Sequence, residues 1–130
     1  MARLLLVDDD PAQVSIWRLL LEASGHQIES AGTVPRAIEK LAVEEPDILL
    51  MDLRLPELED GLALIRKASE TPATKVIVFS GWPQDLESLA ERKFVHRLLG
   101  KPVQPKTLLR HIAELMAAVS ACYGIFLALL

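Results

Sequence analysis

Short apolar runs alternate with amphipathic stretches along this chain. The apolar runs are Leu4–Val7, Ile48–Met51, Val76–Phe79 and the more mixed Phe94–Leu99, with Gln27–Ala31 as a weaker candidate. Runs of this kind are typical of strands that are buried on both faces of a sheet. The stretches between them have helical periodicity, which predicts helices over Pro11–Ser24, Pro35–Val43, Leu62–Ser69, Gln84–Arg92 and from Pro105 onward. The alternation predicts an α/β fold: a doubly wound, five-stranded parallel sheet with five helices on its two faces and right-handed crossovers.

Local signals at the helix ends support this order of elements. Asp10 is expected to cap the first helix, with Pro11 in its first turn and Gly25 just past its end. Thr33 is expected to cap the second helix, ahead of Pro35. A capping side chain accepts a bond from a free helical N–H, proline needs no donor in a first turn, and glycine suits the residue after a helix.

Composition limits the class of protein. A chain of 130 residues fits one domain, and 51% hydrophobic with 25% charged residues excludes a disordered chain. The net charge of −4 and the lack of a basic block argue against direct nucleic-acid binding, which needs an excess of cations on one face. Cys122 is the single cysteine, and only the four apolar residues of Leu4–Val7 precede Asp8. We therefore expect a reducing, cytoplasmic location and no secretory signal.

Reactive side chains follow the predicted strands at the points where the strands end. They are Asp8, Asp9 and Asp10 after the first run, Asp52 after the third, Ser80 and Gly81 after the fourth, and Lys101 and Pro102 after the fifth. In open parallel sheets, ligands bind outside the carboxyl ends of the strands. The pattern therefore brings acids, a hydroxyl and a lysine to one edge of the sheet.

This set of groups suits phosphoryl transfer. Clustered carboxylates repel one another unless a cation neutralises them, and carboxylate oxygens are ligands that Mg²⁺ prefers. A lysine and a hydroxyl supply a positive charge and a donor for a phosphoryl group, and an aspartate can accept that group as a nucleophile. Each feature alone could be only a turn, a helix cap or a strand end. Their joint position at strand ends favours Mg²⁺-assisted phosphorylation of an aspartate.

The chain resembles the receiver domain of two-component response regulators. The resemblance rests on four segments: Leu4–Pro11 (LLLVDDDP), Pro46–Pro56 (PDILLMDLRLP), Val76–Gly81 (VIVFSG) and Leu99–Pro102 (LGKP). It covers about Arg3 to Met116 and implies the flavodoxin-like strand order 2-1-3-4-5. It also implies a phosphorylation-dependent signalling switch rather than a turnover enzyme. The partner it implies is a sensor histidine kinase or a phosphotransfer protein.

The resemblance assigns roles to residues of this chain. It makes Asp52 the phosphoacceptor, with Ser80 and Lys101 contacting the phosphoryl group. It implies that Mg²⁺ is held by Asp8, Asp9, Asp52 and the backbone carbonyl of Arg54. It also implies a cis peptide bond between Lys101 and Pro102.

Three features depart from the family pattern. Leu98 stands where members usually have the Phe or Tyr that reports the switch. The loop 56–61 is one residue longer than the common form. Arg54 and Trp82 lie two residues beyond the phosphoacceptor and the hydroxyl residue, where their bulk is expected to slow hydrolysis of the acyl phosphate.

Two alternatives stay open. One is a phosphorylation-independent interaction module on the same fold, which Leu98 keeps open. The other is a haloacid-dehalogenase-type phosphatase, whose Asp-x-Asp spacing Asp8–Asp10 matches only superficially. In the switch interpretation, phosphorylation shifts a face made by Gln84–Lys93, Phe94–Leu98 and Pro105–Met116.

The carboxyl-terminal stretch from Leu115 to Leu130 contains no charged residue. We expect a receiver domain over residues 1–120 and an apolar helix extension or tail over 121–130. Exposed apolar patches usually mark an interface, so the last helix and the tail predict a homodimer. The stretch is shorter than the roughly 20 residues of a membrane span, so membrane contact is not expected.

Overall fold

The computed structural model describes the backbone of residues 1–129 and the side chains of residues 1–117. Its strands are β1 (Arg3–Val7), β2 (Gln27–Ala31), β3 (Ile48–Asp52), β4 (Lys75–Ser80) and β5 (Arg97–Gly100). Its helices are α1 (Pro11–Ala23), α2 (Val34–Glu44), α3 (Leu58–Ala68), α4 (Gln84–Glu87) and α5 (Pro105–Leu129), with a 3₁₀ helix at Ala90–Phe94. The five strands form one parallel sheet in the order β2-β1-β3-β4-β5. The predicted fold class and strand order are confirmed.

Alternate residues of the central strands face two separate apolar layers. In β1, Leu5 and Val7 pack with residues of α2 and α3, whereas Leu4 and Leu6 pack with residues of α1 and α5. The central strands are therefore covered on both sides, which is why they have continuous apolar runs.

The predicted caps are present. The Asp10 side chain accepts a hydrogen bond from the Ala12 N–H at 3.0 Å, and the Thr33 hydroxyl accepts one from the Arg36 N–H at 3.4 Å. Gly25 ends the α1 region with a φ of 90°, a conformation that favours glycine.

Helix α3 begins four residues before the predicted start. Leu58 rather than Leu62 is its first residue, so most of the predicted loop 56–61 forms the first helical turn. The Asp60 side chain accepts a bond from the Glu57 N–H at 3.0 Å and stabilises this earlier start. Gly61 allows the close approach, since a Cβ atom there would lie 1.7 Å from the Leu53 carbonyl oxygen.

The region between β4 and β5 differs most from the prediction. Instead of one helix over Gln84–Arg92, the chain makes one α-helical turn, extends at Leu89 (φ −93°, ψ 152°) and then makes the 3₁₀ helix. Strand β5 begins at Arg97 rather than at Phe94. Ion pairs from Asp85 and Glu91 to neighbouring elements accompany this broken course.

The weakly predicted strand β2 lies at one edge of the sheet, and its outward carbonyls are capped. The Arg18 guanidinium donates to the Ile28 carbonyl at 3.0 Å, and the Lys40 ammonium donates to the Ser30 carbonyl at 2.8 Å. Cationic side chains of this kind protect an edge strand from pairing with another chain.

Helix α5 continues through the predicted boundary at residue 120. The side chains of residues 118–130 lie outside the described part of the chain, so the tail over 121–130 and its homodimer stay predictions. Among the described residues, no helix is both long and apolar enough to cross a membrane.

Candidate functional site

The predicted site residues meet at the carboxyl edge of the sheet. Asp8 follows β1, Asp52 ends β3, Ser80 ends β4 and Lys101 follows β5. Because β1, β3, β4 and β5 are neighbours in that order, the four positions lie side by side.

Three aspartates form a compact carboxylate cluster. One carboxylate oxygen each from Asp8, Asp9 and Asp52 lies within 4.8 Å of the other two. Asp8 is buried, with 7% of its surface exposed, whereas Asp52 is half-buried and Asp9 is exposed. Asp10, the third acid of the triplet, serves as the cap of α1.

Burial raises the pKa of the Asp8 carboxyl above its ordinary value, and the charges of Asp52 and Asp9 add to the rise. The hydrogen bond from the Asp10 N–H to Asp8 Oδ1, at 2.9 Å, and the charge of Lys101 oppose it. The ionised cluster is therefore held at a cost that a bound cation would relieve. Three hard oxygen donors, one of them buried, fit the requirements of Mg²⁺.

Lys101 contacts the predicted phosphoacceptor directly. Its Nζ atom donates to Asp52 Oδ2 at 2.9 Å. The Lys101 backbone N–H donates to the Ser80 carbonyl at 2.8 Å, which fixes the loop after β5 against the end of β4. The Lys101–Pro102 peptide bond is cis, as predicted.

The Ser80 hydroxyl is buried at the same edge, with 3% of the residue exposed. Its oxygen accepts a bond from the Trp82 N–H at 2.9 Å. A hydroxyl that accepts through its oxygen still has its hydrogen to donate. Ser80 therefore links the β4–α4 loop to the site and keeps a donor for an oxyanion.

Arg54 points towards α4. Its Nη2 atom lies 2.6 Å from Asp85 Oδ2, and its guanidinium carbon lies 5.8 Å from the centre of the exposed Trp82 ring. The sequence pattern assigned Arg54 and Trp82 a common screening role beside the site, but it did not point to Asp85. An acid in the first turn of a helix is common, so no local signal distinguishes Asp85 from an ordinary helix-terminal residue.

Leu98 pairs with Val78 in the sheet and is half-buried. It packs against the apolar layer of α2 and α3. The position that is usually aromatic therefore contributes to the core in this chain.

The chain is similar to a described protein family and to several known proteins. The profile of the response regulator receiver domain matches residues 4–113. Protein PilH of Pseudomonas aeruginosa is 33% identical over 120 residues, which cover 90% of this chain and 99% of PilH. The virulence transcriptional regulatory protein PhoP of Salmonella typhimurium is 34% identical over 125 residues, and this chain spans 51% of its length.

A solved structure agrees in fold. Response regulator TrrA from Thermotoga maritima, in complex with Mg²⁺ and beryllium fluoride, matches with a TM-score of 0.79 and 21% identity. The match covers 88% of this chain and 99% of TrrA, and at this identity it speaks for the fold alone. Together with the family profile, the fold and the relatives show that this chain belongs to the response regulator receiver domain family.

Proposed function

We propose that the chain is a phosphorylation-dependent signalling switch whose phosphoacceptor is Asp52. The observation that carries this proposal is the 2.9 Å contact between Lys101 Nζ and Asp52 Oδ2 beside the carboxylates of Asp8 and Asp9. The Lys101 ammonium and the neighbouring carboxylates surround the half-buried Asp52. This arrangement suits transfer of a phosphoryl group to Asp52.

The donor is a phosphohistidine of a sensor kinase or a phosphotransfer protein. A carboxylate oxygen of Asp52 attacks phosphorus, and the bond between phosphorus and the histidine nitrogen breaks. The electron pair of that bond stays on the imidazole, and Asp52 becomes an acyl phosphate. Sensor kinases take their phosphoryl group from ATP. Because ATP is present in the cytoplasm, we expect the reaction to take place there.

Mg²⁺ would be held by Asp8, Asp9, Asp52 and the backbone carbonyl of Arg54. The ion supplies positive charge that balances the carboxylates and the phosphoryl oxygens. The chemistry of the carboxylate cluster supports this assignment.

Lys101 and Ser80 position the phosphoryl group. Lys101 offsets negative charge on the transferred oxygens, and the Ser80 hydroxyl donates to one of them. Because the Ser80 oxygen accepts a bond from the Trp82 N–H, a movement of the hydroxyl would either pull on the β4–α4 loop or release it.

The output surface, which contacts the signalling partner, is the face made by residues 84–94, β5 and the first part of α5. An acyl phosphate adds a charge of roughly −1.5 to −2 at the site, which biases two arrangements of that face. The chain acts through contact with a partner and has no separate substrate that it turns over.

The phosphorylation-independent module is the second candidate function. It is favoured by one observation, the aliphatic Leu98 packed in the core where the family has an aromatic residue. The hypothesis of a haloacid-dehalogenase-type phosphatase is not pursued, because the chain belongs to the receiver family.

Intact mass decides between these candidates. The chain is incubated with acetyl phosphate and Mg²⁺, beside Asp52→Asn and the control Asp10→Asn, which removes the charge of the third acid in the triplet and keeps the helix cap. We expect one phosphoryl adduct in the parent and in Asp10→Asn, and none in Asp52→Asn. An unmodified parent chain under these conditions would favour the phosphorylation-independent module.

We also propose that residues 1–120 form the receiver and that residues 121–130 extend it. The uncharged run from Leu115 to Leu130 would join two copies. Sedimentation velocity is expected to show a dimer that Phe126→Glu dissociates. A single monomeric species at high protein concentration would contradict the dimer.

A further inference from the structure

The segment 84–94 has the sequence of one helix but the backbone of a broken one. It contains neither glycine nor proline, and most of its residues favour helices. Leu86, Leu89, Ala90 and Phe94 are spaced at i, i+3, i+4 and i+8, so a continuous helix would place them on one apolar face. The structure instead breaks the helix at Leu89, which is extended.

The charges of the segment also match a continuous helix. Asp85 and Glu87 lie near its start, and Arg92 and Lys93 lie near its end, beside the single acid Glu91. Acids at the amino end and bases at the carboxyl end of a helix interact favourably with its dipole. Local sequence and observed backbone therefore disagree, and such disagreements are expected at functional elements.

Two ion pairs tie the segment to its surroundings. Arg54, in the β3–α3 connection, pairs with Asp85 at 2.6 Å, and Arg66 of α3 pairs with Glu91 at 2.8 Å. The two acids are largely covered, with 28% and 16% of their side chains exposed. One pair holds each side of the break at Leu89.

We propose that the segment 84–94 is a two-state element that becomes a continuous α-helix when Asp52 carries a phosphoryl group. The trigger rests on the proposed function. Arg54 lies two residues beyond Asp52, so a dianionic group there competes with the single charge of Asp85 for the guanidinium. Asp85, once released, stabilises the start of the helix.

The transition would change the surface before β5. Converting the extended residue and the 3₁₀ turns into an α-helix shortens the segment by about 4 Å, given the rise per residue of each conformation. A shift of this size would move Glu91 away from its present 2.8 Å contact with Arg66. A partner would thus recognise the phosphorylated chain by the new position of this helix and by the α3 surface that Glu91 no longer covers.

Ala90→Pro should hold the segment in the conformation in which the helix is interrupted at Leu89. Ala90 is exposed and is the first residue of the 3₁₀ helix, where proline is tolerated. The residue before it, Leu89, already has the extended conformation that a following proline requires. Within a continuous helix, the same proline would remove a hydrogen bond and clash with the preceding turn. Ala90→Ser is the matched control.

The test is the set of Cα chemical shifts of residues 84–94, with Mg²⁺ and beryllium fluoride as the probe. Fluorine resonances of the bound probe report whether the site is filled. In the parent and in Ala90→Ser, filling the site should move the shifts of 88–93 to α-helical values. Ala90→Pro should fill equally well and keep the shifts of the resting state. A filled parent site with resting shifts overturns the proposal.

A second measurement separates this proposal from the proposed function. The double variant Arg54→Gln, Arg66→Gln removes both ion pairs without any ligand and keeps the charge of Asp85 at the start of the helix. Helical shifts in the unliganded double variant support the two-state element, whereas resting shifts overturn it. A parent site that never fills counts against the proposed function, and the double variant then decides the conformational proposal on its own.

Discussion

Asp8→Asn should stabilise the chain when no divalent ion is present. The ligand oxygens of the carboxylate cluster lie no more than 4.8 Å apart. At an effective dielectric constant of about 20, two unit charges at that distance repel each other by about 3.5 kcal/mol. The charge of Lys101 and solvent around the half-buried Asp52 reduce the net gain to about 1–2 kcal/mol. Asparagine keeps an oxygen that accepts from the Asp10 N–H, so this hydrogen bond need not be lost.

Urea unfolding at pH 7 with a chelator measures this gain. Because the pKa of Asp8 is raised in the folded state, its ionisation costs stability at pH 7, and that cost disappears as the pH falls below the ordinary value. The advantage of Asp8→Asn should therefore shrink towards pH 4. Mg²⁺ at about 100 times its dissociation constant should stabilise the parent by about 2.7 kcal/mol and the variant much less.

Asp10→Asn is the matched control, because asparagine caps a helix as well as aspartate does. It should change neither the stability in chelator nor the response to Mg²⁺. The reasoning is refuted if Asp8→Asn is no more stable than the parent in chelator, or if it keeps the full response to Mg²⁺.

Two histidines, Gly61 and Trp82 make contacts whose loss can be measured. Partial loss of solvation lowers the pKa values of the half-buried His26 and the more exposed His96, and neighbouring positive charges lower them further. Their Nδ1 atoms accept backbone N–H bonds at 3.0 Å, so the stability they contribute is complete above pH 6.5 and falls as the pH drops below it. Urea unfolding between pH 7.5 and 5 should show a smaller loss in His26→Asn and His96→Asn. Gly61→Ala should cost about 2–4 kcal/mol in the same assay, because the new Cβ would collide with the Leu53 carbonyl, and an unchanged urea midpoint would disprove that close approach. Trp82→Ala should shorten the lifetime of the acyl phosphate, measured by the decay of the intact-mass adduct, and an unchanged lifetime would remove the screening role of this ring.

The sheet was predictable from sequence because its central strands are covered on both faces. Continuous apolar runs such as Ile48–Met51 are a strong signal, and the residues that follow them are placed at the carboxyl edge by topology alone. The edge strand β2 was harder, since its stability depends on Arg18 and Lys40, which reach its free carbonyls from flanking helices.

Tertiary contacts decided what the sequence pattern did not. Helix α3 starts early because Asp60 supports the Glu57 N–H and Gly61 fits under the Leu53 carbonyl. The segment after β4 departs from its helical propensity while ion pairs hold it from two sides. Periodicity contains no information about such distant partners, which is why Asp85 was missed.

The most direct test of the central claim is chemical localisation of the phosphoryl group. The chain is treated with acetyl phosphate and Mg²⁺ and then with borohydride, which reduces an aspartyl phosphate to homoserine, and peptide mass spectrometry locates the reduced residue. We predict homoserine at position 52 and aspartate at positions 8 and 9. Homoserine at position 8 or 9, or at no position in a chain that carries a phosphoryl adduct, would contradict the account.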